Sequence, residues 1–251
     1  MFPSIPGPEL VAAVEHAERV GLDEIWLGDE GVARDPLAVL AAAAVATERI
    51  RLCVGITSPR LRHPGVLGAS AATIDELSDG RFVLGLGTGG AMALEPLGLK
   101  SEHPVAEMRA AIDTVAGVLA GRDGGSFRRP PHAVEARPVE LWVGARGPKL
   151  VELAAERADG LFLSGCTPEQ HRTTIERARA VNAGLEVALY QSASDQPDAT
   201  AANWNDVGAR LSSELSEHRP AAIGINLVDN NDGSADLRQL IERAAETLAS
   251  T

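Results

Sequence analysis

The stretch from Ile50 to Gly90 constrains the fold of this 251-residue chain more than any other feature. Two apolar runs, Ile50–Ile56 and Phe82–Leu86, flank one helix-like segment, Pro64–Leu77. Short apolar runs that are bounded by turn residues are typical of strands buried on both faces, as in parallel sheets. Both runs end in segments rich in glycine and threonine, GITSP and GTGG. The stretch therefore predicts a strand–helix–strand unit whose carboxyl edge binds a ligand.

The same alternation of apolar runs and amphipathic segments continues along the chain. The expected strands are Phe2–Ser4, Glu24–Gly28, Ile50–Thr57, Arg81–Gly87, Glu140–Val143, Gly160–Ser164, Leu185–Gln191 and Ala221–Leu227. The expected helices are Pro8–Val20, Pro36–Thr47, Pro64–Leu77, Pro104–Leu119, Pro148–Arg157, Pro168–Asn182, Trp204–Glu217 and Ala235–Ala249. Eight such units predict an α/β fold, a (β/α)8 TIM barrel, with a doubly wound open sheet as the competing architecture. We expect one domain, 1–251, with a long connecting loop near 121–138. The short first strand suggests that the natural protein begins upstream.

Composition restricts the partners and the location of the protein. The net charge of −12 argues against nucleic acid or an anionic membrane surface as a partner. Neither a secretory signal nor an apolar run long enough to span a bilayer is visible. The two cysteines, Cys53 and Cys166, form no CxxC motif. We therefore expect a cytoplasmic protein with reduced thiols and a small-molecule substrate.

Residues that follow the strands are the candidates for chemistry, because barrel active sites form from these loops. They are Gly28, Asp29 and Glu30; Gly55, Ile56 and Thr57; Thr88, Gly89 and Gly90; Ala145, Arg146 and Gly147; Gly165 and Cys166; and Asn226 with Asp229. The start of the helix after Gly147 predicts an anion site, since free amides and the helix dipole favour negative charge there. The scattered histidines predict no metal site, and no histidine partner is evident for Cys166 as a nucleophile.

Six segments in order carry a resemblance to a known family. They read AERVGLDEIWLGDE, RDPLAVLAAAAVATERI, RLCVGITSPRLRHP, ATIDELSDGR, LGLGTG and WVGARGPKLVELAAERADGLFLSG. The chain resembles the bacterial luciferase-like flavin and deazaflavin oxidoreductases, in particular the branch that uses coenzyme F420, such as the methylenetetrahydromethanopterin reductases. The resemblance implies an enzyme that transfers hydride between F420 and an organic substrate. The alternatives are a flavin mononucleotide (FMN)-dependent luciferase-like monooxygenase and a non-catalytic coenzyme-binding homologue.

The resemblance also implies roles for the residues after the strands. A non-proline cis peptide bond is implied at Gly55-Ile56 or Ile56-Thr57, behind the coenzyme ring. The residues implied at the ring are Asp29, Gly55, Ile56, Thr57, Thr88 and Gly89. Those implied at the coenzyme phosphate are Ala145, Arg146 and Gly147, extended by Gly165 and Cys166. A homodimer is implied because relatives pair through their early helices.

The chain departs from part of the family at two candidate catalytic positions. Glu30 stands where some relatives, including the sugar-phosphate dehydrogenases, carry histidine, and Gly90 stands where they carry an acid. We therefore expect a different substrate, with Asp29 or Glu30 as the acid for proton transfer. The brief polar loop Ser192–Ala202 replaces a longer insertion and predicts a more open pocket or a different substrate. Arg60 and Arg62 are expected to meet either solvent or a polyanionic tail.

Overall fold

The computed structural model describes residues 5–193, 201–227 and 236–251, which form an α/β fold with parallel strands. These residues separate into two compact units, Asp23–Gly144 and the described residues up to Leu22 and from Ala145 onward. In chain order the elements are α1 (Gly7–Arg19), β1 (Glu24–Leu27), α2 (Pro36–Ala46), β2 (Arg51–Thr57), α3 (Pro64–Leu77), β3 (Phe82–Leu86), α4 (Ala91–Leu94) with a 3-10 turn (Glu95–Leu97), α5 (Pro104–Leu119), β4 (Glu140–Gly144), α6 (Pro148–Arg157), β5 (Gly160–Ser164), α7 (Pro168–Val181), β6 (Glu186–Ala193), β7 (Ala201–Ala202), α8 (Trp204–His218), β8 (Ala222–Leu227) and α9 (Leu237–Ala249).

The unit Asp23–Gly144 contains four parallel strands in the order β1, β2, β3, β4. Every residue of β3 is buried, as expected for a strand covered on both faces. The register between β2 and β3 shifts between Val54 and Thr57, so the end of β2 bends away from regular pairing. Because neighbouring parallel strands end at the same edge, the segments after β1, β2 and β3 lie together.

The second unit has β6 at its centre, paired in parallel with β5 on one flank and with β8 on the other. The short strand β7 also pairs with β6, at Ser192 and Ala193. A core cluster on this unit is built from β6, β7, α8 and α9, and its largest side chain is Trp204. Burial of such apolar side chains contributes about 1.5–3 kcal/mol each and fixes the helices to the sheet.

Proline and short polar side chains set where the helices begin. Proline lies in the first turn of α2, α3, α5, α6 and α7, where its missing N–H costs no hydrogen bond. Asp35 caps α2, and Thr167 forms a reciprocal capping box with Gln170 at α7. His63 accepts a hydrogen bond from the amide of Gly65, which confirms that His63-Pro64 starts a helix. None of the described helices is both long and apolar enough to cross a membrane.

The predicted elements agree with the structure to within one or two residues at most ends. The expected strand Phe2–Ser4 and the candidate Asp229 lie outside the described residues. The predicted bounds of the loop Ser192–Ala202 are wrong at both ends. Strand β6 continues through Ala193, and Ala201–Ala202 forms β7. Helix α4 was not predicted, since its four residues are too few to show a helical period.

Candidate functional site

The segments after β1 and β2 are joined directly by hydrogen bonds. The hydroxyl group of Thr57 donates to Asp29 Oδ2 over 2.7 Å, and the amide of Asp29 donates to the carbonyl of Ile56 over 3.2 Å. The segment after β3 joins them, because the hydroxyl of Ser58 donates to the carbonyl of Thr88 over 3.3 Å. The structure thus brings together Asp29, Ile56, Thr57 and Thr88, as the sequence predicted for one edge of the sheet.

Asp29 is a buried carboxylate whose acceptor positions are largely occupied. Its side chain is 1% exposed. Besides Thr57, Arg62 donates to Oδ2, and the amide of Gly31 donates to Oδ1 over 3.1 Å. A buried carboxylate is tolerated when a cation and further donors compensate it, as they do here. Asp29 is therefore a residue that organises the edge.

Glu30 differs from its neighbour in both burial and partners. Its side chain is half-buried and makes no hydrogen bond to any other side chain that the structure describes. Burial raises the pKa of the Glu30 carboxyl above its usual range, and the charge of Asp29 adds to the rise. A raised pKa favours the protonated form, which is the form that donates a proton. Glu30 therefore differs from Asp29 in that no other described side chain holds its carboxyl group.

The side chain of Ile56 occupies space that two glycines leave free, one just after β3 and one at the end of β4. A methyl group added at Gly144 would lie 3.0 Å from Ile56 Cγ2, and one added at Gly87 would overlap Ile56 Cδ1. The peptide bond between Gly55 and Ile56 is cis, at one of the two predicted places. The ring of Trp26 likewise fills the space beside Gly55, since a methyl group added at Gly55 would overlap that ring. Packing thus requires glycine at Gly55 and Gly87 and leaves little room for a side chain at Gly144.

The segment after β3 becomes more exposed to solvent from Thr88 to Gly90. Thr88 is half-buried, and Gly89 has φ +80°, in the left-handed region that favours glycine. A methyl group added at Gly89 would lie 3.1 Å from Ser58 Cβ, whereas one added at Gly90 would meet nothing within 4 Å. The backbone at Gly90 therefore borders free space at this edge.

In the other unit, the predicted phosphate residues lie at the start of α6. Ala145 is buried, while Arg146 and Gly147 are exposed. Gly147 caps the helix without a side-chain hydrogen bond, and its carbonyl accepts from the amides of Leu150 and Val151. Arg146 Nη1 donates to the carbonyl of Gly165, after β5, over 3.4 Å. Arg146 therefore links the predicted phosphate residues of two loops in this unit.

A buried polar network behind Cys166 was missed by sequence reasoning. His171 Nδ1 lies 3.0 Å from Glu214 Oε1 and 3.4 Å from the amide nitrogen of Gln191, and its side chain is fully buried. His218 Nε2 lies 3.3 Å from the other oxygen of Glu214. Burial acts to lower the pKa of His171, but the nearby Cys166 and Glu214 side chains outweigh burial and raise it to about 9. Cys166 does have a histidine neighbour, contrary to the prediction.

The partners of the basic loop after β2 differ from both predicted alternatives. Arg60 donates to Glu107 from Nε over 2.8 Å and from Nη2 over 2.6 Å. Arg62 pairs with Asp29 and Asp35. Both arginines are therefore held by carboxylates of the protein. Among the described residues, no group of three or more histidine, cysteine and acidic side chains is arranged to hold a metal ion.

Comparison with known proteins gives a consistent family and fold. Residues 3–205 match the luciferase-like monooxygenase family. The chain is 32% identical to a 5,10-methylenetetrahydromethanopterin reductase of Methanolobus tindarius over 80% of its own length and 65% of the relative's. The chain thus spans less than two thirds of that reductase.

Solved structures show the same fold at lower sequence identity. A coenzyme F420-dependent tetrahydromethanopterin reductase from Methanopyrus kandleri superposes with a TM-score of 0.81 at 18% identity, covering 99% of this chain and 96% of that one. A monooxygenase from Streptomyces bottropensis gives 0.77 at 19% identity, covering 97% and 92%. With the family match extending over most of its length, the chain belongs to the luciferase-like monooxygenase family.

Proposed function

We propose that the protein is an oxidoreductase that transfers hydride between coenzyme F420 and a small organic substrate. The observation that carries the proposal is the pairing of two acids after β1. Asp29 is buried and held by Thr57 and Arg62, whereas Glu30 is half-buried, free of side-chain hydrogen bonds and raised in pKa. One acid orders the edge, and the other is available for proton transfer. The matched relatives that are named as F420-dependent support this choice of coenzyme.

The residues present fit a flat ring and a phosphate. At Gly28 an added methyl group would meet only the carbonyl of Gly55, at 3.7 Å, and at Gly90 it would meet nothing within 4 Å. In the other unit, Gly147 and Gly165 are equally open. Backbone without side chains lets a ligand approach closely, and exposed helix-start amides accept an anion.

We propose a role for each set of residues toward the coenzyme. The ring is held by Asp29, Gly55, Ile56, Thr57, Thr88 and Gly89. The phosphate is held by Ala145, Arg146 and Gly147, with Gly165 and Cys166 beside them. Arg146 supplies a charge-assisted hydrogen bond, and the α6 dipole adds to it. When bound, F420 supplies or accepts the hydride. Glu30 Oε donates the proton that the substrate needs, or takes it back in the reverse direction.

An anaerobic titration of the purified protein with oxidised F420 tests the proposal. We expect a dissociation constant below tens of micromolar, about the ceiling for a dedicated cofactor site. The absence of binding up to that concentration would refute the F420 proposal. Turnover is then followed across a panel of alkenes, imines and alcohols, with E30Q as the variant in which it should be lost.

FMN-dependent monooxygenation is the second candidate, favoured by the fold likeness to a monooxygenase. A parallel titration with reduced FMN separates the two. Tighter binding of FMN, together with oxygen consumption that depends on substrate, would reverse the choice.

A non-catalytic coenzyme-binding homologue is the third candidate. It is supported by Glu30 and Gly90, which stand where some relatives carry a histidine and an acid. Coenzyme binding without turnover of any panel member would favour it.

Further proposals concern the whole molecule. We propose that the parallel strands close into a (β/α)8 barrel and that 1–251 is one domain, supported by the alternating elements and the fold likeness. A homodimer and a cytoplasmic location also stay predictions. Light scattering at micromolar concentration tests the dimer, and a monomeric mass would refute it.

A further inference from the structure

We propose that Arg62 is a positioning residue that fixes the loop carrying both Asp29, which is proposed to hold the coenzyme ring, and Glu30, and this inference rests on the proposed function. Arg62 lies after β2, yet it pairs with two carboxylates of the segment after β1. Nη1 donates to Asp29 Oδ2, and Nη2 lies 2.8 Å from Asp35 Oδ2. We call Asp29, Arg62 and Asp35 the Arg62 bridge. The bridge holds both ends of the short segment 29–35, in which Glu30 stands.

The two ends of the bridge are themselves fixed. Asp29 is anchored to β2 by Thr57 and by its own amide, which donates to the carbonyl of Ile56. Asp35 caps α2, accepting from the amide of Leu37 over 2.9 Å. Arg62 therefore ties the end of one strand to the start of the following helix. A planar guanidinium can bind two carboxylates at once, which a lysine ammonium does less well.

The segment between the two ends has few other attachments. Gly31 donates its amide to Asp29 Oδ1 over 3.1 Å and lies against the carbonyl of Ala93, with no room there for a side chain. Val32 is 70% exposed, and Glu30 has no hydrogen bond to a described side chain. The position of the Glu30 carboxyl thus depends on how firmly the ends of 29–35 are held.

The two arms of the bridge differ in burial, so their expected contributions differ. The Asp29 side chain is 1% exposed and that of Arg62 is 22% exposed, so removing Arg62 leaves a buried carboxylate without its cation. The Asp35 side chain is 48% exposed, and such pairs contribute little each. Loss of Arg62 should therefore loosen the loop more than loss of the Asp35 arm.

Hydrogen exchange of the protein without coenzyme tests the bridge directly. We expect R62Q to speed exchange of the amides of 29–35 by about tenfold or more, and D35N by about twofold to fivefold. Asparagine caps helices as well as aspartate, so D35N removes the charge and keeps the start of α2. R60Q is the matched control, because Arg60 lies on the same loop and pairs with Glu107 instead. Unchanged exchange in R62Q would overturn the bridge.

Coenzyme titration then tests positioning against a purely structural role. We expect F420 binding to weaken by about tenfold in R62Q, by less in R62K, and not at all in R60Q. D35N should weaken F420 binding by about twofold to fivefold. Its Tm should not change, so loss of stability would not explain the weaker binding. Faster exchange with unchanged F420 affinity in both variants would overturn the positioning role. If the wild-type protein does not bind F420, the proposed function fails. Hydrogen exchange alone then tests whether the Arg62 bridge holds the loop.

Discussion

Thr57, the last residue of β2, donates its hydroxyl hydrogen to the carboxylate of Asp29, the second residue after β1, over 2.7 Å. Both side chains are almost fully buried. The bond therefore couples the ends of two neighbouring strands where water does not compete for it. It also means that the two segments predicted to face the ligand act as one structural unit.

T57V should destabilise the protein by about 1–3 kcal/mol, since valine keeps the shape but leaves the buried Asp29 carboxylate without one donor. Urea unfolding gives the free energy of unfolding. T73V is the control, because the Thr73 hydroxyl bonds only the carbonyl of Ala69 on an exposed helix face. That change should stay within about 0.5 kcal/mol of the wild type. Equal effects of the two variants would contradict a special role for the Thr57 bond.

G87A should destabilise the protein by about 1–3 kcal/mol, because the new methyl group overlaps Ile56 Cδ1. I56V removes that atom, so the double variant G87A/I56V should lose less stability than the sum of the single changes. G184A serves as the control, since an added methyl group there meets only Asn182 Oδ1, at 3.6 Å. Additive losses in the double variant would show that Ile56 is not what restricts Gly87.

In the direction in which F420 supplies the hydride, turnover should fall as pH rises through the pKa of Glu30, because the acid donates its proton only while protonated. Burial raises that pKa, so the fall occurs above the range of an ordinary carboxyl. E30Q should abolish this limb of the pH profile together with most of the turnover. E102Q changes an exposed carboxylate and should leave the profile intact. Retention of the limb in E30Q would assign the proton to another group.

R146A should weaken F420 binding by about tenfold to a hundredfold at low salt, because it removes a charge-assisted hydrogen bond to the phosphate. The difference should shrink as salt rises, since ions screen the exposed charge. R146K keeps the positive charge but lacks the planar guanidinium group with its several N–H donors, and it should bind F420 with intermediate affinity. K149A changes the next cation of the same helix start and should have a smaller effect. Unchanged affinity in R146A would leave only backbone amides as the phosphate site.

Stability should decline at alkaline pH because of His171. Its folded-state pKa of about 9 lies above the ordinary value of 6.5. Its contribution to the stability of the folded protein is therefore complete below pH 6.5 and is lost as pH rises through 9. At about 1.4 kcal/mol per pKa unit, the free energy of unfolding falls by up to about 3 kcal/mol. Urea unfolding at a series of pH values measures this, with H132Q, an exposed histidine, as the control. A slope of the same size in H171Q would assign the effect elsewhere.

The sequence by itself determined the order of elements and the edge at which they end. Proline at the helix starts and apolar runs bounded by glycine are local signals, so Pro64–Leu77 and Gly160–Ser164 were predicted with the bounds that the structure gives. The placement of Asp29, Ile56, Thr57 and Thr88 together followed as well, because neighbouring parallel strands end at one edge.

Only the tertiary structure decided which side chains meet. Arg62 lies 33 positions from Asp29, and His171 lies 43 positions from Glu214, so no local period predicts either pair. The same holds for Gly87 and Gly144, whose missing side chains leave room for Ile56. Local sequence sets backbone conformation through short-range sterics and capping, whereas buried pairs depend on which elements pack side by side. The distinct environments of Asp29 and Glu30, adjacent in sequence, are set by that packing.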